Sequence, residues 1–198
     1  MGKEEKESKK RKEKFDLGPF LTELRDWALW ISFAVILSFV VGNILNFALG
    51  TNTPLVAIMS GSMEHDSTTE KVHYSYLQSA GFSREEIDSF PIPNGFRKGD
   101  VLVVKGSEKE YAIGDVLVFN APGANYPIIH RIIGTTKDSS GKVYYRTKGD
   151  HNPAEDRWLI PHSEARGKAA FVIPFLGYVK VIPMQACGAI GLCKGLYG

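Results

Sequence analysis

Ser60-Gly61-Ser62-Met63, His130, Asp150 and Asp156 are the residues of this 198-residue chain whose types could do covalent chemistry together. A serine hydroxyl is a poor nucleophile near neutral pH; it needs a base to take its proton and a third group to orient that base. Imidazole gains and loses a proton in that range, so His130 is the candidate base for Ser62. A carboxylate that accepts the other imidazole N–H completes a Ser-His-Asp arrangement, and either Asp150 or Asp156 could supply it. Each residue also admits a plainer role. Ser-Gly-Ser is a common loop tripeptide, and His130 shares an alternating face with Ile128 and Ile132, where it could be a satisfied core residue. Asp150 could close a turn, and Asp156 could pair structurally with Arg157. His65, His73, His151 and His162 lack the close pairing that zinc sites use, so neither a metal nor another cofactor is expected.

The segment that leads into the serine motif is apolar. Trp27 to Leu49 carries no charge, and about 23 residues at roughly 1.5 Å each suffice to cross a bilayer with some tilt. Trp27 and Trp30 stand at one end, where indoles favour the interface. A core helix of a soluble protein would rarely stay uncharged so long. A cleavable signal peptide is the sharper alternative, because Ala48-Leu49-Gly50 has a small-x-small form, but the run exceeds the usual apolar region of about 7–15 residues. A retained anchor is the reading adopted. Lys9-Lys10-Arg11-Lys12 and Lys14 precede it, so the N-terminus is expected in the cytoplasm and everything after Gly50 outside it. Residues 1–26 then form a basic tail, 27–49 the span, 50–182 the folded domain, and 183–198 an apolar end too short to span again.

Within the domain, Val101–Val104, Val116–Phe119, Ile128–Ile133, Val143–Thr147, Phe171–Ile173 and Tyr178–Ile182 are short, β-branched or aromatic runs with turn residues between them. They predict a mainly β body, a sandwich or an open barrel. Leu55–Met59 is a further apolar run, either strand or continued helix. Between Glu64 and Lys98 the pattern turns helical, over Val72–Ala80 and Ser83–Phe90, with Ser83 and Glu86 spaced as a capping box. This small helical insertion, about 66–96, reads as a surface excursion, with a grip on substrate or lipid as the alternative. A net charge of +2 with both signs interspersed gives no nucleic-acid surface. Cys187 and Cys193 could pair outside the cytoplasm or stay as small hydrophobes.

In order, these segments resemble type I signal peptidase. The anchor is followed by Ser60-Gly61-Ser62-Met63-Glu64, Arg97-Lys98-Gly99-Asp100-Val101 and Gly114-Asp115-Val116. Pro127-Ile128-Ile129-His130-Arg131-Ile132-Ile133, Thr147-Lys148-Gly149-Asp150-His151-Asn152 and Gly177-Tyr178-Val179 come next. Bacterial members place a lysine before the corresponding arginine; His130 matches the archaeal and endoplasmic-reticulum branch. The resemblance implies a membrane-bound serine endopeptidase that removes signal peptides from secretory preproteins after small residues. It implies Ser62 as nucleophile, His130 as base and Asp150 or Asp156 as the orienting acid. Ser60 would help hold the oxyanion, with the Ser62 backbone N–H, and Met63 would line the pocket for small side chains. The partners implied are preproteins, the lipid bilayer and the translocation channel. His65 stands where the family usually has proline, and the helical insertion is a second departure; with the short basic head it favours an archaeal member over a eukaryotic subunit. Two rivals are a self-cleaving repressor-type protease, which uses a lysine base without an anchor, and an inactive anchored β module that only binds preproteins or translocon parts.

Overall fold

The computed structural model describes residues 17–182, apart from Glu108, Asn125 and Lys180. Most of the expected basic tail and the apolar end with its two cysteines lie outside the described residues. The chain divides into two units, one up to Ile44 and one from Leu45.

The first element, α1, runs over Gly18–Leu49, with 32 residues and none buried. It is long and apolar enough to cross a membrane, with a mean hydropathy of 2.2 over its most apolar window. It starts before Trp27 because Pro19 falls in the first turn, where a helix does not need its N–H. Ser32 Oγ and Asn43 Nδ2 donate to Ala28 O and Phe39 O at 2.7 and 2.8 Å, so these polar side chains are satisfied within the helix. Gly50, at φ +61°, ends it. The Gly50 N–H reaches Phe47 O and the Thr51 N–H reaches Asn46 O, the paired bonds of a Schellman cap. The small-x-small tripeptide at Ala48–Gly50 is thus the helix terminus.

The domain is one seven-stranded antiparallel sheet. Its strands are β1 (Leu55–Ala57), β2 (Val101–Lys105), β3 (Val116–Phe119), β4 (Ile128–Lys137), β5 (Val143–Lys148), β6 (Leu159–Pro161) and β7 (Ala165–Ile173). Their order across the sheet is β1-β2-β7-β3-β4-β5-β6. Every residue of β3 is buried. Val116 and Val118 pack with Met63, Leu102 and Val104 on one face, while Leu117 and Phe119 pack with Ile132, Tyr145 and Ile160 on the other. A strand covered on both faces reads as an unbroken apolar run, which is why Val-Leu-Val-Phe shows no alternation.

The insertion begins with a π turn, Glu70–Tyr74, which continues into α2 (Ser75–Ser79), followed by α3 (Arg84–Asp88). Ser83 and Glu86 cap α3 reciprocally, as their spacing predicts. Leu77 and Ile87 of these helices bury themselves against Ile133. Ile133 falls where the β4–β5 register shifts between Ile132 and Gly134, and such a bulge re-aims a side chain.

One expected strand is not found among the described residues. Tyr178, Val179, Val181 and Ile182 are helical, and the Val181 N–H bonds Gly177 O at 3.0 Å. Pro174 stops β7, and β7 already has β2 and β3 as partners, so this apolar run finds no free edge on the strand it follows.

Candidate active site

Strand β4 delivers His130. Leu117 is its partner on β3, and the ring lies edge-on to Phe119 at 6.4 Å. Its Nδ1 is 2.6 Å from Asp156 Oδ2, and Thr147 Oγ1 donates to the same oxygen at 2.7 Å. The Asp156 backbone is fixed too, since its N–H donates to Thr147 O at 2.8 Å. A carboxylate can only accept, so Nδ1 is the ring nitrogen that carries a proton in this contact.

Ser62 arrives from the other side. After β1, Ile58 pairs with the Gly99-Asp100 backbone, and the chain then turns, with the Glu64 N–H bonded to Gly61 O at 3.0 Å. Gly61 heads this turn without a left-handed φ. Ser62 and Met63 occupy its centre; Ser62 is half-buried and Met63 is buried. The Ser62 carbonyl accepts the His151 N–H at 2.9 Å. A Cβ on Gly149 would stand 2.8 Å from that carbonyl, so only glycine lets β5 end so close to the serine. Arg131 pairs with Lys148 in the last pair of the β4–β5 ladder; His130 precedes Arg131 on β4, and Gly149 follows Lys148. The Ser62 carbonyl and His130 therefore lie toward the same end of that ladder. Among the described residues the side-chain partner of Ser62 Oγ is Ser60 Oγ at 3.3 Å, and no direct hydrogen bond joins Ser62 to His130. Ser60 is exposed beside it.

Asp150 has different partners. Arg131 grips it with two bonds, Nε to Oδ1 at 2.9 Å and Nη2 to Oδ2 at 2.7 Å. His65 Nε2 lies 3.0 Å from Oδ2 and His73 Nδ1 3.3 Å from Oδ1. Burial alone would raise the Asp150 carboxyl pKa, but Arg131 and the two imidazoles outweigh it and hold the group below the usual carboxylate range. Lys148, buried alongside, donates to Val72 O, Gly149 O and Asp150 O. Burial pushes its ammonium down to about 8, against the pull of Asp150. Met63 is also drawn in, with its Sδ accepting the Asp150 N–H at 3.4 Å, and it packs in the core with Ile58 and Phe96.

Sequence reasoning does not connect His65, His73, Arg131 or Lys148 to Asp150. The available signal is Arg131. A cation inside an apolar strand that is covered on both faces demands a buried counter-charge, and Asp150 is the acid at the end of the neighbouring strand. His65, His73 and Asp150 also form a set whose ligand atoms lie within 4.8 Å of one another. Both Asp150 oxygens are already engaged by Arg131, and two buried cations beside a metal ion would repel it.

No protein-family model matches the chain. It is similar to signal peptidase complex catalytic subunits named SEC11. The one from Tuber melanosporum is 29% identical over 162 residues, covering 77% of this chain and 76% of that one. The Komagataella phaffii subunit is 27% identical over 150 residues, covering 70% and 71%. The Eremothecium gossypii subunit is 25% identical over 174 residues, covering 84% and 80%.

Proposed function

We propose, from the premise that this chain belongs to the type I signal peptidases in their endoplasmic-reticulum and archaeal branch, that it removes signal peptides from secretory preproteins by Ser-His-Asp catalysis. The observation that carries the mechanism is the short contact between His130 Nδ1 and Asp156 Oδ2. With Nδ1 committed to Asp156, Nε2 takes the Ser62 proton as Oγ attacks the scissile carbonyl. It then returns that proton to the leaving amine, and water hydrolyses the acyl-enzyme by the same route. The Ser60 hydroxyl and the Ser62 backbone N–H are the donors for the oxyanion. Asp156 is assigned the orienting role, and Asp150 the role of holding the loop that carries it.

Met63 shapes the acyl-side pocket from beneath, as part of its floor, which suits a preference for small, Ala-x-Ala-like side chains. The span α1 anchors the enzyme in the cell membrane, with its N-terminus in the cytoplasm and the sheet domain outside. Anchoring enzyme and preprotein in one bilayer raises their effective concentration. Delivery by the translocation channel is the natural source of substrate.

The test is cleavage in detergent of a preprotein with Ala-x-Ala at its junction, comparing wild type with Ser62→Ala, His130→Ala and His130→Lys. Wild type cuts at the junction, and the Ser62 and His130 alanine variants do not. Processing by Ser62→Ala overturns the nucleophile. A wild-type chain that binds the preprotein without cutting it favours the inactive-module reading.

A further inference from the structure

The insertion is fastened to the catalytic core through polar contacts that a surface excursion would not need. Lys148 Nζ donates to Val72 O at 2.8 Å. Arg131 donates to Pro91 O at 2.7 Å and Ile92 O at 3.1 Å. Ile92 sits at φ +55°, a left-handed conformation that strains a β-branched residue and persists only where its surroundings hold it. At the centre His73, carried by the π turn, is 3% exposed and places Nδ1 3.3 Å from Asp150 Oδ1. It is the one insertion side chain that reaches this carboxylate among the described residues.

Asp150 lies between the two halves of the site. On one side Arg131, its bidentate partner, adjoins His130. On the other the Asp150 N–H bonds Met63 Sδ, and the next N–H, from His151, bonds the Ser62 carbonyl. His65, three residues after Ser62 by number, closes the circuit onto Oδ2.

We propose that His73 is a positioning residue for peptide cleavage, acting through Asp150 to hold the Ser62 turn against the end of β5. This rests on the peptidase reading above, and it gives the insertion a role in the site, since the π turn brings His73 Nδ1 to 3.3 Å from Asp150 Oδ1. The groups facing His73 are Asp150, Arg131, His65 and Lys148, with the Tyr74 ring edge-on at 5.2 Å. Arg131 and Lys148 already bring two positive charges beside this carboxylate. Burial, outweighing the pull of Asp150, lowers the His73 pKa to about 4. Acid therefore weakens the buried cluster, because the desolvation of a protonated His73 and its repulsion by Arg131, His65 and Lys148 outweigh its attraction to Asp150.

The experiment uses the full chain in detergent and compares wild type, His73→Phe and His73→Asn, since an asparagine amide can place a donor near the position of Nδ1. Cleavage kinetics and amide hydrogen exchange at His151 are read together. His73→Phe is expected to lower kcat by about tenfold or more, keep KM within about twofold, and lose protection at the His151 N–H relative to Val118; His73→Asn restores most of both. Wild-type kcat and protection in His73→Phe overturn the proposal, as do equal losses in the two variants. If His73→Phe does not fold, wild type taken from about pH 6.5 to about pH 4 carries the test, where His151 must lose protection before Val118 and a uniform loss overturns it. Stabilisation by Zn²⁺ that disappears in His73→Asn also overturns it and makes the cluster a cation site. Failure of wild type to cleave rejects the peptidase reading alone, because the exchange measurement still decides what His73 holds.

Discussion

Asp150 and Asp156 lie on one short loop after β5, yet their surroundings assign them opposite work. Asp156 meets a single imidazole and a threonine hydroxyl. Asp150 is 1% exposed and faces Arg131, His65 and His73, with Lys148 beside it. An acid that serves catalysis must act on a group that changes protonation during the reaction, and in the proposed mechanism Asp156 touches such a group, His130. An acid that serves architecture must neutralise fixed charge, and Asp150 neutralises a guanidinium that never loses its proton. The same side chain is thus divided between chemistry and structure by its neighbours alone.

The comparison can be broken most directly through the reaction itself. Ser62→Ala should lower preprotein cleavage by about 10⁴-fold or more while leaving the thermal melt near that of wild type, and it sets the floor for the rest. Asp156→Asn should cost about 10³–10⁴-fold in kcat, with the fold retained, because the imidazole loses the partner that fixes its tautomer. Asp150→Asn should act mainly on stability, by about 3–5 kcal/mol, since it strands Arg131 as a buried cation; urea denaturation measures that. If the two aspartate variants show equal and mild losses in both readouts, the division of labour fails. Ser60→Ala should be milder, up to about 10²-fold in kcat with KM little changed, as expected for one exposed oxyanion donor.

The smallest effect is a pH dependence. The folded-state pKa of His73, about 4, lies below the ordinary imidazole value of 6.5, so the unfolded chain binds the extra proton between those values. Stability from this group is therefore fully present above about pH 6.5 and is lost as pH falls through about 4. Denaturation midpoints measured across that window should fall with acid in wild type and fall less in His73→Asn.

How much of this is legible in the sequence varies with the physics behind each feature. The anchor, the β2 to β5 runs and the Ser83–Glu86 capping box are readable because they depend on local patterning. Tyr178–Ile182 misleads, because a β-branched run becomes a strand only where a sheet edge is free, and β7 has none. β7 itself shows a strand pattern only over its last three residues; it begins at Ala165, with Arg166, Gly167 and Lys168 hiding its pattern. The insertion looks like an excursion because the contacts that fasten it run from its backbone carbonyls to Arg131 and Lys148, and backbone acceptors leave no mark in a sequence.

The sequence by itself determined the apolar span and the mainly β body and nominated Ser60, Ser62, Met63, His130, Asp150 and Asp156 as candidates, since hydropathy, alternation and residue chemistry are local properties. Only the tertiary structure decided which aspartate faces His130 and which faces Arg131. That choice depends on the β4–β5 register, which sets Arg131 against Lys148 and carries His130 toward Gly149, and on a loop whose course no local pattern specifies. Charge pairing across strands is a long-range property, and it becomes visible only once the strands are laid side by side.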